Sequence, residues 1–191
     1  MSKIKTVVFG GSFDPVHVGH LSLALEVLRA GLAGEVWFMV SPHNPHKEEN
    51  RLSDENVRLE MVRMAIDGMD GMKACDFEFS LPRPSYTINT LSALEEAYPD
   101  REFVLLVGAD NWAKFDRWYR HEEILSRYGI IVYPRDNSDV PQLPENVVWL
   151  PARLYDISST MIREAVAEGR DISEWVSPSV EEYIKKNRLY K

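Results

Sequence analysis

A single cysteine, Cys75, stands in 191 residues. That excludes an internal disulfide and any cysteine-built metal site, and leaves Cys75 reading as a small buried hydrophobe. Basic charge is scarce too: 22 Lys and Arg against 30 Asp and Glu leave a net charge of −8. Such a chain repels a phosphate backbone at long range, so nucleic acid is not an expected partner. No apolar run approaches the ~18 residues of a membrane span, and Lys3 and Lys5 lead into a short apolar segment without a secretory h-region. The expectation is a cytoplasmic protein with no membrane partner. Repeats, low-complexity tracts and linker-like stretches are also missing, which points to one domain over 1–191. A hydrophobic content of 45% suffices for one core of that size.

What is present is an alternation of strand and helix signals. Thr6–Phe9 is a short β-branched run ending on Gly10-Gly11, and an amphipathic stretch follows from about His20 to Ala30. Glu35–Val40 repeats the strand signal; Ser41–Ser53 is a long polar loop with two prolines, of a length that suggests a working role. After Asp54 a helical pattern places Val57, Met61, Met64 and Ala65 on one side, and Met72–Phe79 reads as another strand. Helix is expected over Tyr86–Ala97, strand over Phe103–Val107, a helical region over Trp112–Ser126 and strand over Ile130–Tyr133. A loop at Pro134–Asn146 precedes a short strand, Val147–Leu150, and helices near Ser158–Glu168 and Ser179–Asn187. Near-continuous apolar strands between helices argue for a parallel sheet covered on both faces. The predicted class is α/β, a doubly wound, Rossmann-like parallel sheet in one domain, with ligands at the carboxyl ends of the strands.

Gly10-Gly11-Ser12-Phe13-Asp14-Pro15-Val16-His17-Val18-Gly19-His20 lies between the first strand and helix. There a glycine loop and a helix start can present N–H groups to an anion. Its glycine spacing fits neither the dinucleotide fingerprint nor a P-loop. His17 and His20, three apart at the helix start, can face one ligand and donate to phosphoryl oxygens as charge builds. Two imidazoles could also hold zinc, although a third ligand would have to come from a distant loop. A second segment, Ile157-Ser158-Ser159-Thr160-Met161-Ile162-Arg163, sets three hydroxyls at a helix start with Arg163 four residues after Ser159. It reads either as an N-cap or as a polyphosphate grip of N–H groups, hydroxyls and a guanidinium.

The first segment resembles the signature of the nucleotidyltransferase superfamily, and the second resembles that superfamily's Ile-Ser-Ser-Thr-x-x-Arg signature. The resemblance implies a Rossmann-like fold, ATP or CTP as donor and a divalent metal. It implies His17, His20 and Arg163 on the reacting phosphates, with Gly10, Gly11, Ser12, Phe13, Ser158, Ser159 and Thr160 around the nucleotide. Further stretches are similar to bacterial-type nicotinate-nucleotide adenylyltransferases. Asn44-Pro45-His46-Lys47 resembles that family's Pro-Pro-His-Lys loop, with Asn44 departing from it. The implied roles are nucleotide phosphate contact or site closure for His46 on the acceptor and Lys47 on ATP. Ser85-Tyr86-Thr87-Ile88-Asn89-Thr90 resembles its Ser-Tyr-Thr-Ile-Asp-Thr segment, Asn89 replacing Asp, and implies that Thr87 meets the pyridine carboxylate. Gly108 and Asp110 follow a strand where an acid can accept ribose hydroxyls or help hold a metal. Trp118-Tyr119 resembles the element whose ring stacks on the pyridine.

The implied activity is transfer of AMP from ATP to nicotinate mononucleotide, with Mg²⁺ carried by ATP and no resident metal site of the protein's own. Alternatives are transfer to nicotinamide mononucleotide or phosphopantetheine, and a non-catalytic nucleotide sensor. Oligomeric state is open, a homo-oligomer included.

Overall fold

A computed structural model describes residues 2–42, 52–135, 142–153 and 155–191. Six strands form one sheet: β1 (Ile4–Gly11), β2 (Glu35–Val40), β3 (Met72–Cys75), β4 (Arg101–Gly108), β5 (Gly129–Tyr133) and β6 (Val147–Trp149). Their order is β3-β2-β1-β4-β5-β6, and every pairing is parallel. This is the doubly wound, Rossmann-like arrangement, whose strand order reverses beside β1 and leaves a crevice at the carboxyl ends of β1 and β4.

The apolar runs are continuous because alternate residues feed two cores. Val7, Phe9, Val36, Phe38, Val40, Val104 and Leu106 point into one, with α1 (Val18–Arg29), α2 (Glu55–Ala65), α6 (Ser159–Ala167) and α7 (Pro178–Lys186) packed over them. Val8, Trp37, Met39, Phe103, Leu105 and Val107 point into the other, under α3 (Thr87–Ala97) and α5 (His121–Arg127). Period two on a sheet covered on both sides erases the polar alternation of a one-faced sheet.

The structure departs from the sequence reading at several places. Gly10 and Gly11 are not a loop; they pair with Met39 and Val40 as the end of β1. The expected strand Met72–Phe79 stops at Cys75, and Phe77–Ser80 forms a 3-10 turn whose Phe77 packs on Tyr98. The helical region Trp112–Ser126 is three pieces: α4 (Ala109–Trp112), a 3-10 turn at Phe115–Arg117, and α5. Arg120, left-handed at φ 54°, separates the last two. Helix α1 starts at Val18, so His17 is its N-cap. In α2 the buried face is Arg58, Leu59, Met61, Val62 and Ala65, with Val57 and Met64 at its margin.

Arg58 is the unexpected member of that face, 1% exposed. Its Nη1 donates to the carbonyls of Ser12 (2.7 Å) and Ser41 (2.8 Å), and its Nε to that of Ser53 (2.9 Å). Burial pulls the guanidinium below the usual arginine value, and the nearby Asp14 carboxylate opposes this. One side chain from α2 thereby ties together the segments leaving β1 and β2 and the entry to α2 itself. Arg58→Met keeps the apolar stem but strands three carbonyls and the Asp14 charge, so it should lower stability by about 3–5 kcal/mol. Urea unfolding checks this, and a loss under 1 kcal/mol would sink the assigned role.

Candidate active site

The loop from Ser12 to His17 is held from all sides. Phe13 is left-handed, φ 48°, and turns its ring into the core against Phe9 and Phe38. Gly11 allows this, because a Cβ there would lie 2.9 Å from the Phe13 ring. Asp14 precedes a cis proline and is fully buried. Its Oδ2 accepts the Ser53 N–H at 3.0 Å and its Oδ1 the Tyr190 hydroxyl at 2.7 Å. A carboxylate so enclosed is a structural anchor rather than a metal ligand.

His17 and His20 come together as the spacing predicts. Their ring centroids are 3.6 Å apart at an interplanar angle of 32°, and the His17 N–H donates to His20 Nδ1 at 3.2 Å. When neutral, His20 therefore carries its proton on Nε2. Phe13 meets the His20 ring edge-on at 5.1 Å and limits its rotation. Among the described residues, no cluster of three His, Cys, Asp or Glu side chains could hold a metal. His17 is 6% exposed, and its Nδ1 has no hydrogen-bond partner among the described residues. A Cβ at Gly19 would lie 3.1 Å from that nitrogen, so glycine leaves the ring its place.

The second motif reaches the first through backbone carbonyls. Arg163 Nη1 donates to the Asp14 carbonyl at 2.8 Å, and Ser159 Oγ to the Pro15 carbonyl at 2.9 Å. Ser158 caps α6 by accepting the Met161 N–H, and Thr160 Oγ1 accepts from Arg163 Nη2 at 3.2 Å. All three hydroxyls thus have partners within the chain.

Across the crevice, Gly108 ends β4 and Asp110 follows, its Oδ1 3.4 Å from Arg135 Nε. A Cβ at Gly108 would sit 2.6 Å from that oxygen and push the Asp110 carboxylate from its place. Thr87 is the first residue of α3, whose N-cap, Tyr86, offers no side-chain cap to the first-turn N–H groups. Neither Ser85 nor Thr87 caps this helix, and Ser85 Oγ is buried without a partner among the described residues. Tyr119 is 53% exposed and stacks on Tyr86 at 4.7 Å, whereas Trp118 is half-buried against Phe115 at 5.4 Å. His46 and Lys47 lie outside the described residues.

The geometry agrees with the comparisons. The cytidylyltransferase-like family model matches residues 8–165. A Bacteroides fragilis protein named "Probable nicotinate-nucleotide adenylyltransferase" is 50% identical over 182 residues, covering 94% of this chain and 90% of its own. A Bacteroides thetaiotaomicron protein of that name is 46% identical, covering 97% and 93%. The chain belongs to the nicotinate-nucleotide adenylyltransferase family. A solved candidate nicotinate-nucleotide adenylyltransferase from Vibrio parahaemolyticus has TM-score 0.72 and 26% identity, covering 100% of this chain and 96% of its own. The Plasmodium falciparum nicotinic acid mononucleotide adenylyltransferase complexed with NaAD shares the fold at TM-score 0.78 and 20% identity, covering 98% and 97%.

In this family member the cleft beside the histidines is also lined by Arg135, Arg153 and Tyr155, none of which a sequence motif marks. Arg135 follows β5, so its place at a strand's carboxyl end was the available signal. Arg153 lies over the Tyr155 ring at 5.1 Å, and its N–H reaches the Glu26 carboxylate at 3.2 Å.

Burial, and then the Arg135 guanidinium, lower His17 to about 4 from 6.5. The ring is therefore neutral at pH 7. Because the folded value is depressed, the unfolded chain takes up this proton first. The stability involved is present above pH 6.5 and lost as pH falls through the window to about 4. His17→Gln should lose about 3 kcal/mol less than wild type on going from pH 7 to pH 4. Urea unfolding at the two pH values measures it; parallel losses would contradict the buried neutral state.

Proposed function

We propose that this cleft transfers the adenylyl group of ATP to nicotinate mononucleotide, releasing pyrophosphate and forming nicotinate adenine dinucleotide as a step of NAD biosynthesis. The close pair His17–His20, with Arg163 bonded to the loop that leads into His17, at the switch point of a doubly wound sheet, is the observation that carries the reading. An oxygen of the acceptor phosphate attacks the α-phosphorus of ATP. A new P–O bond forms as the bond from the α-phosphorus to the bridging oxygen breaks, and pyrophosphate leaves with that electron pair. The attacking phosphate is already anionic, so no general base and no covalent enzyme intermediate are needed, and catalysis reduces to alignment and charge neutralisation.

Each side chain has a place in that scheme. His17, buried and neutral, donates an N–H without bringing its own charge. His20 donates through Nε2. Arg163, fixed by the Asp14 carbonyl, holds the outer phosphates together with the first-turn N–H groups of α6. Gly10, Gly11, Ser12 and Phe13 shape the backbone beneath the nucleotide, and Lys47 adds a cation. Mg²⁺ enters as part of the ATP substrate and draws charge from the phosphates. On the acceptor side Asp110 takes ribose hydroxyls, and Thr87 with the uncapped N–H groups of α3 receives the pyridine carboxylate. Trp118 and Tyr119 supply the aromatic wall and His46 reaches the acceptor phosphate.

Mg²⁺-dependent pyrophosphate release, run in parallel with nicotinate mononucleotide, nicotinamide mononucleotide and phosphopantetheine, tests the assignment. At least tenfold higher kcat/KM with the first is expected. Preference for another acceptor would move the pocket assignment, and ATP binding with no release would indicate a sensor. His20→Ala should lower kcat by about 10²–10³ with ATP affinity within threefold. Loss of ATP affinity at unchanged kcat would refute the His20 role.

A further inference from the structure

Tyr190 lies past the last helix, beyond both motifs. The chain turns back after α7: Arg188 and Tyr190 are left-handed, at φ 53° and 64°, and the Leu189 N–H bonds the Ile184 carbonyl at 3.1 Å. L-residues adopt this conformation uncommonly. The outcome of the two turns is that the Tyr190 hydroxyl arrives 2.7 Å from Asp14 Oδ1, with the Met61 sulfur 3.9 Å away. Asp14 has no exposed surface. Its other carboxylate oxygen is taken by Ser53, its carbonyl by Arg163 and the next carbonyl by Ser159. Burial, then the Asp14 charge, push the Tyr190 phenol above its ordinary value, so at neutral pH it is a protonated donor.

We propose that Tyr190 is a positioning residue for adenylyl transfer: through the Asp14 carboxylate it fixes the main-chain carbonyl that holds Arg163 and the turn that presents His17. The inference rests on the function proposed above. Without the hydroxyl, Asp14 keeps Ser53 and the neighbouring Arg58, so the fold retains its anchor. What changes is the orientation of the residue-14 peptide, which Arg163 reads directly. A reacting group displaced by about 1 Å can cost on the order of a hundredfold in rate, so a small rotation matters more to turnover than to folding.

Tyr190→Phe removes only the oxygen. As a control, Tyr128→Phe removes a similar phenol-to-carboxylate bond, to Glu95 at 3.1 Å, on the opposite face of the sheet. Both variants are compared with wild type for kcat, KM for each substrate and Tm. For Tyr190→Phe, kcat/KM for ATP should fall about tenfold with KM for nicotinate mononucleotide within twofold, while Tyr128→Phe stays within twofold throughout. Wild-type kcat and KM for ATP in Tyr190→Phe, whatever its Tm, would overturn the proposal. Should wild type transfer nothing to nicotinate mononucleotide, the acceptor reading fails separately. Calorimetry with Mg-ATP then decides on Tyr190: about fivefold weaker binding in Tyr190→Phe supports the role, and an unchanged Kd overturns it.

Discussion

The buried guanidinium of Arg58 is the constraint on which the carboxyl edge of the sheet depends. A desolvated cation tolerates burial only when its donors are matched, and here they are matched by main-chain carbonyls from three separate segments. The fork geometry of arginine fixes those segments relative to each other, which a lysine's single ammonium would not. Because the acceptors are carbonyls, the path of the backbone is what is selected at Ser12, Ser41 and Ser53. The turn of Phe13 into the core and the enclosure of Asp14 both presuppose that path.

Electrostatics at the cleft follow the same economy. The chain carries a net charge of −8, yet two guanidiniums line the cleft. Arg135 and Arg153 line it with the two histidines, and the Arg135–Asp110 pair, half-exposed on both sides, is a weak tie. His17 stays uncharged at pH 7, so its burial adds no second buried cation to that of Arg58.

Much of this was legible in the sequence. The strands announce themselves as β-branched or aromatic runs, and the two motifs, with their histidines and hydroxyls at short spacing, fall on the loop after β1 and the start of α6. Boundaries were less legible. Phe77 and Phe79 mimic a strand but serve a 3-10 turn, and the left-handed Arg120 breaks an apparently continuous helix without a glycine or proline to signal it. Arg58 could have been found, since it shares the 58, 61, 62, 65 stripe with Met61, Val62 and Ala65, but a charge on an apolar face reads as exposed until its acceptors are known. Tyr190 meets Asp14, and Arg135 meets Asp110, across separations that no local pattern encodes.

The two ties that Arg163 and Ser159 make to the turn after β1 span 149 and 144 positions, and that of Tyr190 spans 176. Closing loops of that length carries an entropy cost that such bonds alone do not offset. Helices α6 and α7 are held instead by Ile162, Ala165, Val180 and Ile184, which share one core with the strands. A cavity cut into that core therefore reaches the turn through the helices, which makes the shape of the turn a reporter on packing far from it in sequence.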